Sequence, residues 1–167
     1  MHQDLVRRAF EAFRTDATTI PPMTLRGGNA VDSYHDPPPY DLQLDDPTNE
    51  YLDRYCFWGL IYLDAASWRH YLPRLIDYAL GRAADPGSLV IESLLSSLRS
   101  PDSEPPRLAS LSPDQEAVLV SFLDALAFDQ ASAYQDFAMQ VLEEYWVPHS
   151  LYRRRDEDVP GKSSVKP

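Results

Sequence analysis

Cysteine is almost absent from this 167-residue chain, where Cys56 stands alone. No internal disulfide can form, a pattern consistent with a reducing compartment, and the lone thiol reads as a small buried hydrophobe ahead of a reactive group. Lysine is nearly missing as well: Lys162 and Lys166 are the only two, and arginine supplies every fixed positive charge before them. Long apolar runs are lacking, since the longest, Cys56 to Leu63, holds eight residues against the about 20 needed to span a bilayer. The N-terminal segment carries Asp4 and Glu11 on an amphipathic pattern with no apolar signal core, so the expected location is cytoplasmic.

The recognisable chemical motifs are missing too. His2, His35, His70 and His149 are far apart, no two at helical ligand spacing, and there is no second cysteine to complete a zinc set. Asp45-Asp46-Pro47 lacks the glycine and spacing of a calcium loop. Gly27-Gly28 is not followed by the Lys-Ser of a phosphate loop, and no serine sits in a Gly-x-Ser-x-Gly elbow. Glu143 and Glu144 are adjacent, hence on different sides of a helix, and do not make an acid/base pair. The expectation is a protein without catalytic residues, cofactor or metal.

What is present suits one globular domain. Hydrophobic residues make up 44% and aromatics 11% of the chain, enough to offset chain entropy with a buried core. The domain is expected over residues 1–152, and a charged, Gly-, Ser- and Lys-containing stretch, 153–167, reads as a flexible tail. Leu5, Val6, Ala9, Phe10 and Phe13 form a helical stripe, predicting a helix over 3–15. From there to about Pro47, Pro21-Pro22, Gly27-Gly28 and Pro37-Pro38-Pro39 predict a long loop rather than helix.

Thr48-Asn49-Glu50 opens the next helix through Trp58, while Phe57 to Tyr62 fits either more helix or a short buried strand. Asp64 is placed to cap a helix beginning at Ala65, which Pro73 should kink or restart and Gly81 should close in a left-handed cap. A further helix is expected over 87–99. Ser112-Pro113-Asp114-Gln115 is a capping box that starts another, and a last runs from about Ala131 to Tyr145. The fold class is all-α, a single compact domain of five to six helices with a long Pro-rich acidic loop. Trp58, Trp68 and Trp146 are expected in its core.

The net charge of −11 is concentrated: seven acids and no Lys or Arg lie between Gly27 and Asp53. Such a field repels phosphates and anionic lipid and draws basic partners, so neither nucleic acid nor membrane is an expected ligand. Candidate partner-binding residues are Asp32, Tyr34, Asp36, Tyr40, Asp41, Asp45, Asp46 and Tyr51, with the tyrosines as anchors. The rival site is an anionic-ligand pocket at the Pro73 kink, where Trp68, Arg69, His70 and Tyr71 could pair an anion and move a proton. A homo-oligomer is a third expectation.

The ordered set of an amphipathic N-terminal helix, Asp32-Ser33-Tyr34, His70-Tyr71-Leu72-Pro73 and Leu111-Ser112-Pro113-Asp114-Gln115-Glu116 resembles a family of small bacterial proteins of unknown function. The likeness spans about residues 5–146. It brings no catalytic residue, but many small acidic bacterial proteins of this sort neutralise a toxin. The resemblance therefore implies an immunity or antitoxin-like inhibitor of a basic protein, binding through the 32–53 region.

Overall fold

The helix after Asp64 organises the molecule. In the computed structural model, which describes residues 2–103, 106–148 and 150, the Asp64 carboxylate accepts the Ser67 N–H at 2.8 Å and starts α5 (Ala65–Gly81). Trp68, Tyr71, Leu72, Leu75, Ile76 and Ala79 of α5 are fully buried. The helix continues through Pro73 without restarting, because Pro73 itself is buried and its neighbours on both sides are locked in the core. Around α5 pack α1 (Gln3–Ala12), α2 (Arg14–Thr18) and α6 (Leu89–Ser97).

Further out lie α3 (Leu25–Asp32), which packs on α4 (Asn49–Gly59), and α7 (Pro113–Phe128), which packs on α8 (Gln135–Val141). The described residues thus hold eight α-helices and no strand, more helices than the five or six expected. No helix among them is long and apolar enough to cross a membrane. The proposed tail, 153–167, lies outside the described residues, as does His149.

Local side-chain chemistry explains most helix starts. Thr24, Thr48 and Ser88 each accept an N–H from the first turn of α3, α4 and α6, and Ser112 with Gln115 forms the expected reciprocal capping box of α7. The N-terminal segment breaks at fully buried Phe13 instead of running to residue 15. Residues 60–62 form a 3₁₀ turn, not a strand, and the last helix starts at Gln135 and ends in a π-helical turn, Leu142–Trp146.

Two glycine expectations are corrected. Gly27-Gly28 does not break the chain but lies buried inside α3, where Gly28 meets Gly59 of α4 backbone to backbone. Gly81 is the last residue of α5 and not a left-handed cap; an added Cβ there would meet nothing within 4 Å. Gly81→Ala should therefore stabilise the protein by roughly 0.5–1 kcal/mol, read as a higher urea midpoint with an unchanged slope. A loss of stability would show that the helix end needs glycine.

Candidate functional site

The acidic segment between α3 and α4 is an ordered platform built around one buried charge. Arg26, on α3, donates from Nε to Asp45 Oδ1 at 2.9 Å and from Nη2 to Asp45 Oδ2 at 2.7 Å. The same Nη2 donates to the Pro39 carbonyl at 3.1 Å, tying the proline run to α3. Asp45 also accepts the Asp41 N–H at 2.8 Å and the Tyr51 hydroxyl at 3.0 Å. Tyr51 Oη accepts the Arg26 N–H at 3.1 Å. Because its own proton goes to Asp45, Tyr71 is left as donor in the 3.4 Å contact between the two hydroxyls, while Tyr71 Oη accepts the Leu25 N–H at 3.3 Å.

The electrostatics follow from these bonds. Burial alone would raise the Asp45 carboxyl, but Arg26, the Asp41 N–H and Tyr51 outweigh it and hold the group below its ordinary range. Burial pushes the Tyr51 phenol up, so it stays a protonated donor. Asp41 Oδ1 accepts the N–H groups of Gln43 and Leu44, each at 2.9 Å, and fixes the turn ahead of Asp45.

Asp45 and Tyr51, 2% and 6% exposed, are therefore scaffold and not the surface residues expected. Tyr34 is completely exposed, at a φ of 60°, while Asp36, Asp41 and Asp46 are exposed and Tyr40 partly so. Asp32 is partly covered and accepts the Tyr62 hydroxyl at 3.1 Å. Leu42 and Leu44, neither of them among the expected partner-binding residues, project from this platform at 76% and 61% exposure. Their alternation with polar neighbours was the available signal.

The rival site does not assemble. Trp68 and Tyr71 are fully buried, with Trp68 Nε1 donating to Ser97 Oγ at 3.1 Å. Arg69 pairs with Asp16 at 2.9 Å and donates to Ser110 Oγ at 2.6 Å. His70 Nδ1 lies 3.0 Å from the Asp16 carbonyl, which can only accept, so the proton is on Nδ1. These two side chains pin α2 to α5 rather than converge on a cavity.

Burial pushes the Cys56 thiol up to about 12, leaving it protonated. Among the described residues no three His, Cys, Asp or Glu side chains gather to hold a metal ion. Trp146 is in the core, its Nε1 donating to the Leu98 carbonyl at 2.9 Å, but Trp58 is 55% exposed and stacks edge-on against Phe57. It faces away from the buried stripe Leu52, Cys56 and Gly59 of α4.

A family model described as "Family of unknown function (DUF6714)" matches residues 1–150, taking in every helix described above. The chain belongs to that family. No curated protein and no solved structure matches it. Membership in DUF6714 agrees with the resemblance seen in the sequence at the level of a family without an assigned function, and the functional reading rests on the site's own geometry.

Proposed function

We propose that this DUF6714 chain is a non-catalytic binding module of the bacterial cytoplasm that docks a basic protein through residues 32–46, in the manner of an immunity or antitoxin-like inhibitor. The observation that carries this reading is an inversion of the usual loop. A merely solvated connection turns its leucines inward and its charges outward. Here Asp45 is inside and Leu42 and Leu44 are outside, on a turn fixed by at least four hydrogen bonds to Asp45. Order in the free protein removes much of the entropy that binding would otherwise cost, and exposed apolar anchors ringed by carboxylates complement a basic surface.

Three baits test it in lysate of the native host: wild type, Asp36→Asn/Asp41→Asn/Asp46→Asn, and Leu42→Ser/Leu44→Ser. Wild type should retain one basic protein, the charge variant should hold it more weakly with a flatter salt dependence, and the leucine variant should bind it roughly 30-fold less tightly, about 2 kcal/mol. Equal retention by all three baits, or no basic protein on any, overturns the reading.

A further inference from the structure

Beyond the platform, the C-terminal half of α4 and the turn after it leave an apolar face uncovered. Phe57, Trp58, Ile61 and Tyr62 are 39–74% exposed. They fall at i, i+1, i+4 and i+5, on the side of the helix opposite the buried Leu52, Cys56 and Gly59. The backbone seam between Gly28 and Gly59 fixes the rotation of α4 and with it the direction of this side. At roughly 150–250 Å² per large side chain, the uncovered part of the four comes to about 400 Å². That is half of the about 800 Å² that a standard interface takes from each partner, so with a polar rim the face suits a weak, reversible association.

The charges around the face point to its occupant. From Tyr55 to Leu63 there is no Asp, Glu, Lys, Arg or His, so this surface lacks the carboxylates that suit the platform to a basic protein. Glu92 and Arg107 line the groove beside Phe57 and Ile61 and offset each other in charge. Arg54 stands four residues before Trp58. Among the described residues no carboxylate pairs with it, and its guanidinium lies over the Tyr55 ring at 5.3 Å from the centroid. Its neighbour Asp53 is turned to α5 and accepts the Tyr78 hydroxyl, and Glu50 lies a further turn out. Tyr62 stands four residues after Trp58 and donates to Asp32 Oδ1 at 3.1 Å. The face therefore runs cation, tryptophan, acid at even spacing. A two-fold axis through Trp58 reverses that order on a second copy and brings each Arg54 to the other's Asp32.

We infer that this face binds a second copy of the chain, in an isologous dimer with Phe57, Trp58, Ile61 and Tyr62 at its centre and an Arg54–Asp32 pair at each end. The inference does not rest on the proposed function, and salt acts on the two with opposite signs. Two chains of net charge −11 repel, so raising NaCl from about 20 to about 300 mM should tighten the dimer, whereas it loosens the docking of a basic protein.

Sedimentation equilibrium of the whole chain, from about 1 to about 500 μM, tests it. Wild type should dimerise reversibly with a Kd on the order of 10–100 μM. Over the same range Trp emission should shift to the blue, because Trp58 is exposed while Trp68 and Trp146 are buried. Ile61→Ser should keep the wild-type melting temperature and raise the Kd at least ~10-fold, and Leu42→Ser/Leu44→Ser should leave it unchanged. Arg54→Glu and Asp32→Arg should each weaken the dimer at least ~10-fold, the second even though it lowers the net negative charge. Arg54→Glu/Asp32→Arg restores the pair with its signs exchanged and should return to within ~3-fold of wild type. A wild type that stays monomeric, a dimer loosened by salt or by the Leu42 and Leu44 changes, or a double variant no tighter than the single ones overturns the inference.

Discussion

Asp45→Ala should destabilise the protein by about 3–5 kcal/mol, a large part of the 5–15 kcal/mol that ordinarily holds a domain together. The carboxylate is out of water and accepts two bonds from Arg26 and one each from the Asp41 N–H and Tyr51. Removing it leaves the Arg26 guanidinium, itself only 16% exposed, without its counter-charge. Asp45→Asn should lose nearly as much, because an amide cannot accept from a guanidinium on two oxygens. Replacing both partners, Arg26→Met with Asp45→Leu, should recover much of the loss if the charge, rather than the space, is what matters.

The pH dependence has a definite sign. Asp45 is held below its ordinary range in the folded protein, so the folded state gives up this proton more readily than the unfolded chain. The stabilisation is complete above the unfolded pKa, about 3.9, and disappears as pH falls through the lower folded value. Glu144, lowered mainly by its hydrogen bonds from Arg99, acts in the same direction. Urea midpoints of wild type should fall below about pH 4, and Asp45→Asn should show a shallower fall there. Amide exchange across residues 36–46 should also quicken in that variant, because the turn loses its anchor.

What could be read from the sequence was local. The Asp64 cap and the Ser112–Gln115 box depend on residues three apart, and both formed where their spacing placed them. Asp45 was read as a solvated acid because its partner, Arg26, is 19 residues upstream in a segment taken for loop, and no periodicity links the two. The exposure of Trp58 was accessible in principle: Leu52, Cys56 and Gly59 define the buried stripe of α4, and Trp58 falls off it. Composition favoured the core for a tryptophan, and geometry overruled it. Trp68 and Tyr71 failed as a ligand site for the opposite reason, since the aromatic density that marks binding surfaces also fills cores.

Gly59→Ala should lose about 3 kcal/mol or more, even though alanine is the better helix former by about 1 kcal/mol. A Cβ on Gly59 falls into the Leu25 carbonyl oxygen and comes within 3.2 Å of the Asn29 nitrogen; one on Gly28 falls into the Gly59 carbonyl. These are backbone atoms in two helices and cannot swing aside, so α3 and α4 must separate. Gly27→Ala, whose Cβ would meet the Met23 sulfur at 2.9 Å and Thr24 Oγ1 at 3.1 Å, presses on side chains and should be milder. The damage at Gly59 should also travel, because α3 carries Arg26 and the Leu25 N–H that reaches Tyr71. Separating α3 from α4 pulls the guanidinium off Asp45 and loosens the turn that presents Leu42 and Leu44. Gly28→Ala/Gly59→Ala should therefore lose less than the sum of the single changes, since either one already opens the same seam. Amide exchange across residues 36–46 should rise in Gly59→Ala and stay at the wild-type rate in Gly81→Ala. Fast exchange in both, or in neither, would separate the helix seam from the order of the binding platform.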